Sequence, residues 1–258
     1  DYLIADQTII PEQSQKHYSE KIVYLPSFQA NDSKQSQAVT SFTRQDLGLP
    51  SKGFIFCCFN NTYKITPLAL DSWAQILKKV EGSVLLIFAS NESAQINLTK
   101  EISLRNIDPS RLILGEHLPR PEYLGRYQVA DLFLDTHPYN AGTTSSDALR
   151  MGLPVLTRLG NSFASRMGSS ILNAINLPEL ITTSQKEYEA LAIELATNPK
   201  KLKAIKDKLA KNLPSAPLYD TPAFTKHLES AYKTMYDRYH EGLKPEHIYV
   251  ESSNSFSL

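Results

Sequence analysis

Lys64 closes the loop Asn60-Asn61-Thr62-Tyr63-Lys64, which follows the apolar run from Phe54 to Phe59. An ammonium at a strand end can face a phosphate as a point charge, although a lysine there also reads as an ordinary solvated group. A second loop, Tyr139-Asn140-Ala141-Gly142-Thr143-Thr144-Ser145-Ser146-Asp147, combines small residues with hydroxyls. Small side chains let the backbone approach a ligand. A helix beginning there offers free N–H groups and a positive dipole end, which suits a diphosphate. Asp147, one turn in, could accept from ribose hydroxyls, while Thr144-x-x-Asp147 equally fits a capping box that needs no ligand. A third loop, His117 to Arg126, carries Arg120, Tyr123 and Arg126 at helical spacing. Two guanidinium groups and a ring on one face could stack on and hydrogen-bond a base; the plainer alternative is a solvated face. Jointly the three loops suit a nucleoside diphosphate.

The elements that must carry these loops are six short apolar runs: 54–59, 84–88, 112–114, 132–135, 154–157 and 180–182. They alternate with helical patterns over 67–80, onward to about 107, and over 121–130, 144–151 and 166–175. Such alternation predicts an α/β fold, a Rossmann-like parallel sheet with helices on both faces. Ligands of open parallel sheets bind beyond the carboxyl ends of the strands, where all three loops fall. No G-x-G-x-x-G or P-loop pattern occurs, which weakens a dinucleotide or P-loop reading. No Asp-x-Asp occurs either, so Lys64 and a helix end must replace a metal, and neither metal nor other cofactor is expected. With 27 basic and 27 acidic side chains, nothing suggests nucleic acid or anionic lipid as a partner. No apolar run is long enough to span a bilayer. The adjacent Cys57 and Cys58 read as core residues of a reduced, cytoplasmic protein.

The flanks differ in character. Residues 26–46 read as a linker or surface loop, and 251–258 as a disordered tail. The helical stretch from Lys186 to Glu241 has a stripe, Phe224, Leu228, Tyr232, Met235, Tyr236 and Tyr239, expected to be ordinary packing.

On the segments Phe59-Asn60-Asn61-Thr62-Tyr63-Lys64-Ile65, Leu134-Asp135-Thr136, Gly142-Thr143-Thr144-Ser145-Ser146-Asp147, Gly152-Leu153-Pro154-Val155-Leu156-Thr157 and Ala164-Ser165-Arg166, the sequence resembles the catalytic region of the O-GlcNAc transferase family. The similarity runs from Asp1-Tyr2-Leu3-Ile4-Ala5-Asp6 to Lys244-Pro245-Glu246-His247, with bacterial, tetratricopeptide-repeat members the best match. The resemblance implies the C-terminal lobe of a GT-B glycosyltransferase. Residues 1–46 would then be a lead-in from the preceding lobe and 47–250 the UDP-sugar-binding lobe with C-terminal helices. It implies Lys64 on the diphosphate, Thr143 and Thr144 on the phosphates, Asp147 at the ribose, and Arg120, Tyr123 and Arg126 around uridine. Asn61, Leu118 and Gly142 join the substrate-binding set, and Tyr63, which would position donor or acceptor, stands with Lys64 as catalytic. Asn61 replaces a glutamine of the animal enzymes, Gly142 a histidine, and Tyr123 and Arg120 a histidine and a lysine; these departures bear on the sugar and on uridine recognition.

The implied reaction is inverting, metal-independent transfer of N-acetylglucosamine or a related hexose from a UDP-sugar to Ser or Thr of a protein acceptor. UDP-N-acetylglucosamine is the expected donor. Other implied partners are the preceding catalytic lobe and tetratricopeptide repeats. Histidines of the family's first lobe have no counterpart here, so the chain is expected to bind donor but transfer little alone. Alternatives are another sugar-nucleotide GT-B enzyme, such as an epimerase or small-molecule glycosyltransferase, and a non-catalytic interaction module.

Overall fold

The structure, a computed structural model, describes residues 1–29, 40–89 and 91–251. Two short strands, β1 (Tyr2–Ala5) and β2 (Lys21–Tyr24), precede an alternating series. The series runs β3 (Ile55–Cys58), α1 (Pro67–Lys79), β4 (Val84–Phe88), α2 (Glu92–Leu104), β5 (Leu112–Gly115) and α3 (Arg120–Gly125). It continues through β6 (Leu132–Leu134), α4 (Thr143–Arg150), β7 (Val155–Arg158), α5 (Met167–Ala174) and β8 (Ile181–Thr182). Helices α6 (Gln185–Thr197), α7 (Pro199–Asn212) and α8 (Thr221–His240) follow, then a last strand, β9 (Ile248–Tyr249).

Six strands form one sheet in the order β5-β4-β3-β6-β7-β8, and every pairing is parallel. The chain builds outward from β3 to β5, then returns to β6 on the other side of β3. That reversal between β3 and β6 is the switch point at which open α/β sheets form a crevice. Because helices cover the sheet, β3 is buried along its whole length, and Cys57 and Cys58 are free thiols in the core, as their apolar neighbours predict.

Helix α1 starts where its sequence says it should. Thr66 Oγ1 accepts from Ala69 N at 3.2 Å, and Pro67 supplies a first-turn residue with no N–H to satisfy. Leu70, Trp73, Ala74, Ile76 and Leu77 then fall on its buried side. Helix α2 buries only Leu98 and Ile102, so Asn91, accepting from Ala94 N at 2.8 Å, contributes much of its definition.

A smaller parallel sheet, β1-β2-β9, joins the two ends of the described chain. Ile22 N donates to His247 Nδ1 at 2.8 Å, and Ala231 of α8 packs with Val23, Leu25 and Ile248. Asp6 ties this unit to the main lobe: it accepts from Ile9 N at 2.8 Å, from Phe28 N at 3.2 Å, and from the Ser170 hydroxyl of α5. The apolar stripe of α8 is only partly packing. Phe224 and Met235 lie against the small core, but Tyr232, Tyr236 and Tyr239 are exposed. The correction has a simple cause: two strands and a two-residue edge cannot cover a helix of 20 residues. Residues 30–39 of the expected linker, and 252–258 of the expected tail, lie outside the described residues.

Candidate functional site

The first loop and the second meet at the β3/β6 crevice through a buried polar hub. Asn60, directly after β3, donates from Nδ2 to Thr136 Oγ1 at 2.7 Å and to Asp135 Oδ1 at 3.3 Å. Its Oδ1 accepts from Thr144 Oγ1 in the first turn of α4. Asp135, at the end of β6, also accepts from Thr157 Oγ1 at 2.6 Å, Ala141 N at 2.7 Å and Thr136 N at 2.8 Å. Burial outweighs these donors and pushes its carboxyl up to about 6. Gly168 sits against the same hub: a Cβ there would stand 2.6 Å from Asp135 Oδ2.

Lys64 reaches across the crevice. Its Nζ donates to the Asn140 carbonyl at 3.0 Å and lies 3.9 Å from the centroid of the Tyr139 ring. Burial lowers its pKa, with Asp135 and Cys58 acting the other way. Tyr63 is 70% exposed beside it, its ring 6.1 Å from that of Tyr139. Asn140 leads through Gly142 into α4, whose start receives no side-chain cap. The capping box that Thr144 and Asp147 could have made does not form, because Thr144 turns to Asn60 and Asp147 to Arg120. Thr143, at the open turn, is exposed.

The third loop forms the wall of a cleft of about 590 Å³ lined by Phe59, Asn61, Leu118, Arg120, Tyr123 and Arg126, among others. Arg126 is not solvated: it is buried, donates to the Glu116 carbonyl at 2.7 Å, and lies 4.7 Å from the Phe59 ring centroid and 5.3 Å from that of Tyr123. Tyr123 and Tyr127 hydroxyls share a 2.5 Å hydrogen bond, and Tyr127 also donates to the Thr144 carbonyl at 3.2 Å. Arg120 grips Asp147 with two parallel bonds of 2.7 Å. Cleft and helix start are therefore linked by one bidentate ion pair.

All the expected site residues thus gather around the switch point, in two groups. Lys64, Tyr63, Gly142, Thr143 and Thr144 stand at the helix start, and Asn61, Leu118, Arg120, Tyr123 and Arg126 around the cleft, with Asp147 between. Asn60, Asp135 and Tyr127, to which the sequence assigned no site role, hold the groups in place. Asp135 carried one available signal, a carboxylate ending an apolar strand. Among the described residues, no group of three or more His, Cys, Asp or Glu side chains could hold a metal ion. No described helix is long and apolar enough to cross a membrane.

An open sheet with this strand order and a crevice at its switch point is a Rossmann-like lobe, and its match to a solved O-GlcNAc transferase makes it a lobe of the GT-B glycosyltransferase class. A bacterial O-GlcNAc transferase, the Thermobaculum terrenum K341M mutant, superposes with a TM-score of 0.80 at 32% identity, over 92% of this chain and 45% of that one. A Thermosynechococcus elongatus sucrose-phosphate synthase shares the fold at 14% identity, with a TM-score of 0.65 over 92% of this chain and 59% of that one. The family model for glycosyl transferase family 41 matches residues 27–228, and the chain belongs to that family. In sequence it is 34% identical to SEC of Arabidopsis thaliana, named a probable UDP-N-acetylglucosamine–peptide N-acetylglucosaminyltransferase, over 97% of this chain and 26% of that protein. The Caenorhabditis elegans UDP-N-acetylglucosamine–peptide N-acetylglucosaminyltransferase is 33% identical over 80% of this chain and 18% of its own length. The chain therefore spans about a quarter or less of these two relatives.

Proposed function

We propose that this chain is the donor-binding lobe of an inverting glycosyltransferase that moves N-acetylglucosamine, or a related hexose, from a UDP-sugar to Ser or Thr hydroxyls of proteins. The names of the relatives support the donor and acceptor classes. The observation that carries the reading is the Lys64 ammonium, 3.0 Å from the Asn140 carbonyl in the loop that opens into the uncapped start of α4. A diphosphate between them meets one fixed positive charge and free N–H groups, with the Thr143 hydroxyl alongside. Uridine then falls in the cleft of Leu118, Arg120, Tyr123 and Arg126, with Asp147 facing the ribose and Asn61 at the rim.

As the glycosidic bond breaks, the departing UDP gains negative charge. Lys64 and the helix start stabilise that charge more than they stabilise the bound donor, which is the condition for catalysis. The reading gives this task to the ammonium and the helix, and uses no metal. Tyr63 lies exposed beside Lys64, where it can steer the sugar or the attacking hydroxyl. A preceding lobe supplies the acceptor side and the group that takes the hydroxyl proton, so this chain alone binds donor and transfers little.

Calorimetry tests the reading. Lys64→Ala removes a charge-assisted contact worth about 1.5–3 kcal/mol, so UDP should bind roughly 10- to 150-fold more weakly. UDP affinity unchanged by that substitution refutes the reading, as does a chain whose melting temperature rises with NAD and not with UDP.

A further inference from the structure

Gly142 stands at the entrance to α4 and brings no side chain to the turn that faces the diphosphate. The space a side chain would enter is already occupied. A Cβ built on Gly142 would stand 3.3 Å from Gln29 Nε2 and 3.8 Å from Met167 Cγ. Gln29 comes from far away in sequence, at the end of the segment that leaves β2. That segment is anchored, so the amide is presented rather than loosely draped. Phe28 N donates to Asp6 at 3.2 Å, and the Phe28 ring meets Phe163 edge-on at 5.5 Å. The Ser27 hydroxyl, itself buried, donates to the Gln29 carbonyl at 3.0 Å.

The Gln29 amide nitrogen donates to the thioether sulfur of Met167. Sulfur of this kind is a weak acceptor. A phosphate oxygen is a far better one, since a hydrogen bond to an ionised acceptor is roughly twice as strong as a neutral one. Exchanging sulfur for phosphate is therefore favourable for the amide.

We propose that Gln29 is a further donor-binding residue, its carboxamide N–H donating to a diphosphate oxygen from the place a side chain at position 142 would otherwise fill. The inference rests on the UDP-sugar reading above and adds to it a residue supplied by the small-sheet unit. Donor binding then bridges the two units, because Lys64 and α4 belong to the main lobe and Gln29 does not.

The test is calorimetry of the 258-residue chain with UDP and, separately, with uridine. Gln29→Leu should weaken UDP about tenfold, the lower end for a hydrogen bond to a charged group, and leave uridine unchanged. Gln29→Glu should weaken UDP further, because it sets a carboxylate against the diphosphate; Gln29→Met stands in if the branched leucine disturbs folding. UDP affinity within twofold of the parent in these variants, with Lys64→Ala still impaired, overturns the role of Gln29 alone. Equal weakening of UDP and uridine also overturns it, since that pattern marks packing rather than phosphate contact. An unsubstituted chain that binds no UDP overturns the nucleotide reading itself.

Discussion

Replacing Arg120 by alanine removes both N–H groups that reach the Asp147 carboxylate, each at 2.7 Å. The two partners are unequally buried: the Asp147 side chain is 2% exposed, the Arg120 side chain 44%. Truncating the arginine therefore strands a buried charge. Stranding one partner of a fully buried pair costs about 3–5 kcal/mol. Here the arginine side opens on the cleft, water can follow, and about 2 kcal/mol is the expected loss after that discount. Truncating Asp147 instead leaves a guanidinium that can turn into solvent, which should cost less than about 1 kcal/mol. Binding should respond to both truncations, since Arg120 lines the cleft proposed for uridine. On the proposed ribose contact, Asp147→Ala should weaken UDP binding about tenfold although the fold is barely touched. Urea unfolding of the parent and the two variants, with calorimetry on the same samples, measures both quantities. Equal stability losses from the two truncations would contradict the unequal burial of the pair, and an Asp147→Ala variant that binds UDP as tightly as the parent would exclude the ribose contact.

Two further outcomes follow from the buried hub. Burial holds the Asp135 carboxyl at about 6, above the ordinary 3.8, so the folded state keeps its proton longer than the unfolded chain. The stability this contributes is full below pH 3.8 and lost as pH rises through about 6, on the order of 3 kcal/mol; Asp135→Asn should flatten the urea-unfolding profile across that window. Gly168→Ala would press a Cβ to 2.4 Å from Thr157 Oγ1 and 2.6 Å from Asp135 Oδ2. It should destabilise the chain by about 2 kcal/mol or more, and an unchanged melting temperature would contradict that packing.

The helix start and the cleft differ in how far the sequence alone could reveal them, and the difference is physical. A parallel strand buried on both faces leaves a continuous apolar run, so β3, β4, β5, β6, β7 and β8 could be placed in order without any structure. Placing the strands fixes their carboxyl ends, and with them the loop of Lys64 and the start of α4. Pro67 announced α1 by the same local logic, because a first-turn proline depends only on its neighbours in the chain. The small sheet left less: Tyr2-Leu3-Ile4-Ala5 is strand-like in sequence and forms β1, but nothing local points to its partners. β2 and β9 are four and two residues long, and their pairing spans more than two hundred positions. The exposure of Tyr232, Tyr236 and Tyr239 followed from that sheet's small size, so it was hidden as well.

The cleft was half legible. Helical spacing put Arg120, Tyr123 and Arg126 together, but spacing carries no information about which of them faces water. Burial of Arg126 follows from Phe59 on one side and the Glu116 carbonyl on the other, both outside the helix. The local pattern Thr144-x-x-Asp147 left two readings open. Its capping box would satisfy the first turn of α4 from within, and the structure instead spends both side chains on distant partners, Asn60 and Arg120. A helix start left without a side-chain cap carries unmet N–H groups that favour an anion. Two residues that could have closed the site locally instead tie it to β3 and to the cleft, so the cost of leaving it open is met by contacts that also shape it.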